Sequence, residues 1–143
     1  MNNLTMRLTI AVATLVAAAV SASAQTYKAD VPMTFNAGGK NMPAGRYEFV
    51  VTNGAGGQRT VIVRDEAAKQ SALLMTIPGS DAPKAWREEG APKIAFQCAG
   101  NNCSLAKLYN GQDTSAYQFP TRKLAPAEKE RMAFITLSLE RTE

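Results

Sequence analysis

The sequence predicts an all-β protein, a small antiparallel β-sandwich or barrel of about seven or eight strands with one short helix near its C-terminus. Two observations carry this prediction. Short runs of residues alternate between apolar and polar side chains, with the period of two that is typical of half-buried strands. Turn-forming residues, chiefly glycine, proline and asparagine, separate these runs at regular intervals, as they do in sandwiches and barrels.

The first predicted strand lies in residues 26–35, TYKADVPMTF, where apolar side chains occupy every second position and would share one face. Pro32 lacks a backbone donor, so we expect this strand at a sheet edge or with a bulge. A turn at Pro43 and Gly45 precedes the second strand. That strand places three large apolar residues on one side: Tyr47, Phe49 and Val51.

Two more strands are predicted in RTVIVRDE, residues 59–66, and in SALLMTI, residues 71–77. Their apolar residues are more continuous than those of the first two strands. Continuous apolar runs are typical of strands that are buried on both faces. We therefore expect both strands near the middle of a sheet.

Residues 78–93 differ from the strands, because they contain three prolines and show no apolar period. We interpret them as a long loop, and loops of this length in compact domains are often functional. Aromatic and arginine side chains are enriched at binding surfaces. The loop therefore supplies three candidate contact residues: Lys84, Trp86 and Arg87. The alternative is that Trp86 folds down and covers one end of the core.

The next two strands, KIAFQC and CSLAKLYN, contain the only two cysteines of the chain, Cys98 and Cys103, on either side of the loop AGNN. A hairpin of this length places the two side chains opposite each other, close enough for a disulfide after a small adjustment. We favour a disulfide across the mouth of the hairpin. A redox centre usually needs C-x-x-C, and a metal site would have no histidine to complete its ligand set, so both alternatives have less support.

The C-terminal part predicts one helix and a closing strand. Pro126 suits the first position of a helix, and Glu128 falls in the first turn, where the helix dipole favours a carboxylate. We expect this helix over residues 126–132. In the strand that follows, three apolar side chains at alternate positions are expected to face the core: Ile135, Leu137 and Leu139.

Residues 1–24 have the three parts of a secretory signal peptide: one charge at Arg7, an apolar run, and an A-x-A site that ends at Ala24. Cleavage there would leave a single all-β domain, residues 25–143. The alternative is an uncleaved anchor helix, which has less support because the apolar run is shorter than a membrane span. After cleavage we expect no stable membrane insertion. The expected location is periplasmic or extracellular, where disulfides persist.

Charge and composition narrow the classes of function. The cleaved domain would carry 15 Lys and Arg (16 in the whole chain less Arg7) against 12 Asp and Glu, with both signs mixed along the chain. We therefore expect no nucleic-acid binding.

The chain has no histidine, which excludes Ser-His-Asp and Cys-His catalysis, and no cofactor is expected. Ser104 and Lys107 match S-x-x-K, but in a strand we expect their side chains on opposite faces.

The leading expectation is a non-enzymatic envelope or extracellular module that binds an unknown protein or polymer of the cell envelope through its loops. A hydrolase that uses two paired carboxylates is the alternative. Its candidate residues are Glu48, Asp65, Glu88 and Asp113. A purely structural surface protein is the third interpretation.

Two segments of the chain carry a recognisable pattern. The first is VPMTFNAGGKNMPAGRYEF, in which Gly45 and Tyr47 are the best matches to the pattern V-P-x-x-F … P-A-G-x-Y. The other positions of the motif in this chain are Val31, Pro32, Phe35, Met42, Pro43 and Ala44. The second segment, residues 93–131, combines a hairpin, a glycine-containing turn and a charged helix.

Both segments resemble a family of small, exported, all-β bacterial proteins of unknown function. The resemblance implies export and a β fold, and it brings no activity. The family hairpin carries histidine, arginine and aromatic residues where this chain has QCAGNNC. Any role of that histidine therefore does not transfer to this chain.

Overall fold

The protein forms two facing β-sheets and two short helices in a computed structural model, which describes residues 24–53, 58–67 and 69–142. The helices are α1 (Lys84–Glu89) and α2 (Pro126–Glu130). In chain order, the strands are β1 (Gln25–Val31), β2 (Phe35–Ala37), β3 (Lys40–Met42), β4 (Gly45–Asn53), β5 (Arg59–Asp65), β6 (Ser71–Met75), β7 (Lys93–Ala99), β8 (Asn102–Tyr109), β9 (Tyr117–Gln118), β10 (Met132–Ser138) and β11 (Glu140–Thr142).

The first sheet has the strand order β11-β1-β4-β5-β6, and the second has the order β10-β7-β8-β2-β3, with β9 also paired to β8. Neighbouring strands are antiparallel except β2 and β8, which run parallel and pair at Asn36 and Ser104. The two sheets confirm the prediction of an all-β fold, in its sandwich form. The described strands are shorter and more numerous than the sequence indicated.

The core lies between the two sheets, where inward-facing residues of both layers meet. Phe35 of the second sheet packs edge-on against Tyr47 of the first sheet, with ring centroids 5.0 Å apart, and against Phe96 at 5.1 Å. Aromatic pairs in this geometry stabilise a core beyond their burial alone. Other large side chains that are fully buried are Tyr27, Met42, Phe49, Ile94, Leu105 and Leu108.

The expectation that Pro32 marks an edge strand is wrong, because β1 lies between β11 and β4. The strand ends at Val31, immediately before the residue that cannot donate a backbone hydrogen bond. The chain then crosses to the second sheet, where Phe35 begins β2. Residues 26–35 therefore contribute to two strands in different layers.

The position of β6 also differs from the expectation. β5 is an inner strand, as predicted, whereas β6 ends the first sheet. Only Ala72 and Leu74 face the core, and Leu73 and Met75 are 62% and 51% exposed. The continuous apolar run of this strand therefore reflects one buried face and one exposed apolar face.

Residues 78–93 are not a loop throughout, because their middle part forms α1. This helix follows Pro83 and ends at Gly90, whose φ of +67° lets its N–H donate to the Trp86 carbonyl. A helix of 6 residues is too short to show an apolar period, which is why the sequence indicated a loop. The other helix, α2, begins at Pro126 as predicted and ends two residues earlier than expected.

The last predicted strand is divided between the two sheets as β10 and β11. Leu139, which joins them, is buried, and Leu137 is half-buried. Ile135 lies opposite the buried Phe96 but is 37% exposed, contrary to the expectation that it is covered. The reason is that β10 ends its sheet, so its core-side face lies at the open margin of the sandwich.

The predicted signal peptide lies outside the described residues except for Ala24. In the part of the chain that the structure describes, no helix is long and apolar enough to cross a membrane.

Candidate functional site

A cleft of about 580 Å³ opens between three segments that are distant in the chain: the β2–β3 hairpin, the β7–β8 turn, and the stretch that leads to α2. We name it the amide cleft, because four asparagines lie in its wall: Asn36, Asn41, Asn101 and Asn102. Its other lining residues are Thr34, Phe35, Gly39, Cys103, Ser104, Pro120 and Arg122. The cleft therefore depends on the tertiary fold and on no single loop.

The β2–β3 hairpin forms the first wall. It turns at Gly38 and Gly39, whose φ values of +58° and +84° favour glycine. Asn36 holds this turn, because its Oδ1 accepts a hydrogen bond from the Gly39 N–H at 3.1 Å. The Asn36 Nδ2 donates to the Asn41 Oδ1 at 3.5 Å. The Asn41 amide keeps both N–H donors free of these bonds, and they can reach a ligand.

The β7–β8 turn forms the second wall, and the disulfide between Cys98 and Cys103 closes it, as predicted. The residues next to the disulfide, Ala99 and Asn102, are still paired, so the turn has two residues and not the expected four. Gly100 has a φ of +61°, and two-residue hairpin turns need such positive values. The disulfide therefore fixes Asn102 at the rim of the cleft.

The stretch that leads to α2 forms the third wall through Pro120 and Arg122. The Arg122 guanidinium donates two hydrogen bonds to the Glu128 carboxylate, at 2.6 and 3.4 Å. These hydrogen bonds hold the pKa of Glu128 below its ordinary value. The charge of Arg122 is thus compensated within the protein, so it does not make the cleft an anion site.

The remaining polar side chains of the cleft are carboxamides and hydroxyls, which carry no charge. A carboxamide offers two N–H donors and one carbonyl acceptor, and a hydroxyl offers both functions. Such a lining matches a ligand that carries hydroxyl or amide groups. The described ranges contain no group of three or more His, Cys, Asp or Glu residues that could hold a metal ion.

The predicted contact residues lie on α1 and do not line the amide cleft. Trp86 is half-buried and packs against Tyr109, with ring centroids 6.2 Å apart. The Arg87 Nε donates to the Ala82 carbonyl at 3.1 Å, and Lys84 pairs at 3.7 Å with a glutamate one turn further on. This packing resembles the alternative in which Trp86 covers one end of the core. A contact role for the three residues stays a prediction.

Each of the four candidate carboxylates has its own partner. Glu48 pairs with an arginine of β5 at 3.0 Å, and Glu88 pairs with the lysine that begins α1 at 3.7 Å. Asp65 accepts a backbone N–H bond at 2.7 Å, and Asp113 accepts a bond from an asparagine amide at 2.8 Å. Three of the four, Glu48, Asp65 and Asp113, line three different clefts.

Ser104 and Lys107 share a face of β8, contrary to the expectation for a regular strand. A bulge shifts the register, so that Ser104 lies opposite Gln97 and Lys107 lies opposite Ala95. Residues two apart on β7 point to the same side, and their partners therefore do so as well. The Lys107 Nζ lies 6.0 Å from the centroid of the Phe134 ring. Phe134 belongs to β10, the strand at the opposite end of the sheet from the hairpin that lines the amide cleft.

The sequence did not reveal the amide cleft, because asparagine is an ordinary turn residue. Asn36 and Asn101 therefore indicate hairpins and nothing more, and Arg122 looks like one charge in a mixed-sign segment. The available signal was the recurrence of asparagine in two turns, NAGGKN and AGNN. This recurrence could have indicated that the two turns line one site only if the pairing of β2 with β8, which brings the turns together, were known.

No protein-family model, curated protein or solved structure matches this chain. Its membership of the family of small exported proteins stays a prediction that depends on the two motif segments.

Proposed function

We propose that the protein is an exported, non-enzymatic module that binds an uncharged polymer of the cell envelope in the amide cleft. One observation carries this proposal: three separate segments converge to line an open cleft with carboxamide and hydroxyl groups, and Arg122, the one charged side chain among the described lining residues, is already paired. The disulfide between Cys98 and Cys103 supports a location outside the cytoplasm, periplasmic or extracellular.

The chemistry of the lining favours a glycan-like segment over a charged ligand. Sugar hydroxyls both donate and accept hydrogen bonds, as do asparagine and serine side chains. A cleft of about 580 Å³ falls within the usual range for ligand sites, which is about 300–1,000 Å³. Asn41, Asn101 and Asn102 are exposed along its rim, where an extended polymer could lie across the opening.

A sedimentation assay tests the proposal. The chain from residue 25 to residue 143 is mixed with insoluble neutral polysaccharides, and with intact peptidoglycan sacculi as a comparison polymer whose peptide stems carry carboxylates, and the bound fraction is measured against protein concentration. We expect saturable binding that the double substitution Asn41→Ala/Asn102→Ala weakens about tenfold, since each lost hydrogen bond contributes about 0.5–1.5 kcal/mol. Gln112→Ala, which removes an exposed amide that lines a different cleft, serves as the matched control.

Equal binding by the double variant and the wild type would contradict the proposed site. The absence of binding to every neutral polysaccharide would contradict the proposed ligand class, and the absence of binding to any of these polymers would favour a purely structural role. The hydrolase alternative predicts soluble fragments in the supernatant, and substitutions of Glu48, Asp65, Glu88 or Asp113 would abolish their release.

A further inference from the structure

In the part of the chain that the structure describes, the strand orders of the two sheets end in β11 and β6 and in β10 and β3, and three of these four end strands are guarded against pairing with another chain. β11 and β3 have only 3 residues each, and they carry the charged residues Glu140, Arg141 and Lys40. Short length and charge are the usual protections of a sheet edge. β6 is longer and uncharged, but the β2–β3 hairpin lies against it.

The contacts of this hairpin show how β6 is covered. The Lys40 Nζ donates to the Ser71 carbonyl at 2.8 Å. A Cβ added to Gly38 would lie 3.0 Å from the Leu73 carbonyl oxygen, so the hairpin backbone closely approaches the backbone of β6. One backbone carbonyl of this edge strand therefore accepts a hydrogen bond from the hairpin, and a second lies close to the hairpin backbone.

β10 has none of these protections. It has 7 residues, MAFITLS, without a charge or a proline, and among the described strands it pairs only with β7. Phe134 is 52% exposed on the face that it shares with Gln97, and Ile135 is 37% exposed on the core-side face that it shares with Phe96. The strand thus combines a free backbone edge with exposed apolar side chains on both faces.

We propose that β10 pairs antiparallel with β10 of a second copy of this chain, around a two-fold axis perpendicular to the sheet. Such an axis keeps each residue on its own face, so the residues that meet across it are separated by an even number of positions. With Phe134 opposite its own copy, Ala133 meets Ile135 on the core-side face. The large side chain then fills the space beside the small one, and the same contact occurs twice.

This self-complementarity favours a second copy over an unrelated strand. Phe134 meets Phe134 on the outer face, and aromatic cross-strand pairs stabilise a sheet. Met132 meets Thr136, so the pairing brings no like charges together within the strand. The core-side face at the open margin of the sandwich, where Ile135 is exposed, becomes continuous with that of the second copy.

The inference does not depend on the proposed function, because the amide cleft lies toward the opposite edge of the same sheet, beside β2 and β3. A dimer formed through β10 leaves both clefts open. Two sites on one particle would bind a repetitive polymer with higher avidity than one site.

Sedimentation equilibrium of the chain from residue 25 to residue 143, over a wide concentration range, tests the pairing. We expect a reversible dimer, and Phe134→Lys should weaken it at least about tenfold, because two lysines would then face each other across the axis. Leu73→Lys is the matched control: it removes an apolar residue that is at least as exposed as Phe134 from the covered edge, and it should leave the dimer unchanged. Circular dichroism establishes that both variants are folded.

A cross-linking variant identifies the strand in contact. Phe134→Cys should form an intermolecular disulfide on mild oxidation, because directly opposite residues have Cβ atoms about 4.5–5.5 Å apart. Leu73→Cys should not. A wild-type chain that stays monomeric at every concentration overturns the proposal, and so does a dimer that Phe134→Lys leaves intact or that Phe134→Cys fails to cross-link.

Discussion

Cys98 and Cys103 lie directly opposite each other at the end of the β7–β8 hairpin, with their Cα atoms 4.0 Å apart and their sulfurs bonded. The disulfide stands one residue pair away from the turn. It therefore restrains the part of the hairpin that carries Asn102 to the rim of the amide cleft.

Removing this disulfide should destabilise the protein by a modest amount. The sequence separation of the two cysteines is 5, and a loop this small contributes about 2 kcal/mol on the chain-entropy model. We expect Cys98→Ala/Cys103→Ala to lower the free energy of unfolding in urea by about this amount. Reductant should produce a similar loss in the wild type and none in the double variant. A wild type that is insensitive to reductant would contradict the expectation.

The hydroxyl of Tyr47 donates a hydrogen bond to the Pro43 carbonyl, and it ties the start of β4 to the residue that turns the chain. Because Tyr47 is buried, Tyr47→Phe should lower the free energy of unfolding by about 1 kcal/mol while its ring still packs on Phe35. Tyr27→Phe is the matched control. The Tyr27 hydroxyl bonds to the half-buried side chain of Gln25, which water can reach, so this loss should be smaller. Equal losses in urea denaturation would argue against the structural role of the Pro43 contact.

The parts of the fold that the sequence predicted depend on local patterns. Apolar side chains at every second position near Tyr47 and Ile94 mark strands. This period places the apolar side chains on one face of the strand, and it does so regardless of which strand becomes the neighbour. The hairpin of Cys98 and Cys103 is also local, since its geometry follows from a short loop between two strands. Pro126 marked the start of α2 for a similarly local reason.

The parts that the sequence missed depend on which strands become neighbours. Pro32 suggested an edge, yet the backbone of β1 is paired on both sides and the chain changes sheet just after it. Ile135 fits a core position by alternation, but its strand ends a sheet and leaves it exposed. The amide cleft needs three distant segments, and residues such as Asn36 and Arg122 show no shared pattern along the chain.

The ion pair between Arg122 and Glu128 should be visible in a titration of the glutamate. Hydrogen bonds from Arg122 are the main reason why the pKa of the Glu128 carboxyl lies below its ordinary value of 4.5. A lowered pKa contributes stability above the ordinary value and loses it as the pH falls through the lowered one. We expect the ¹³C carboxyl resonance of Glu128 to titrate below pH 4.5, and Arg122→Gln to move the midpoint upward. A midpoint that this substitution leaves unchanged would refute the pairing in solution.

Alkaline pH should destabilise the protein through its tyrosines. Burial raises the pKa values of Tyr27, Tyr47 and Tyr117 above the ordinary 10.0, although Arg59, which donates to the Tyr117 hydroxyl at 2.9 Å, opposes the shift there. A raised pKa contributes stability that is complete below the unfolded value and is lost as the pH rises through the folded one. We therefore expect the free energy of unfolding to fall above pH 10.0.

Urea denaturation at several alkaline pH values measures this loss, and Tyr117→Phe should reduce its steepness. Absorbance at the phenolate band should show part of the tyrosine titrating only as the protein unfolds. Stability that is constant across this range in the wild type would rule out the contribution of the buried phenols.

Trp86 tests whether α1 serves packing or binding. Its ring packs on Tyr109 and is half-buried. Trp86→Ala should therefore lower the free energy of unfolding by roughly 2 kcal/mol, which is less than the loss of about 3–5 kcal/mol that follows when a fully buried aromatic ring is replaced by alanine. Trp86→Phe keeps an aromatic ring against Tyr109 and should recover most of this loss. At a temperature where all three proteins are folded, we expect equal binding to the polymer that the wild type sediments with. If instead both variants lose binding while Trp86→Phe keeps its stability, Trp86 contacts the ligand, and the binding surface extends from the amide cleft to α1.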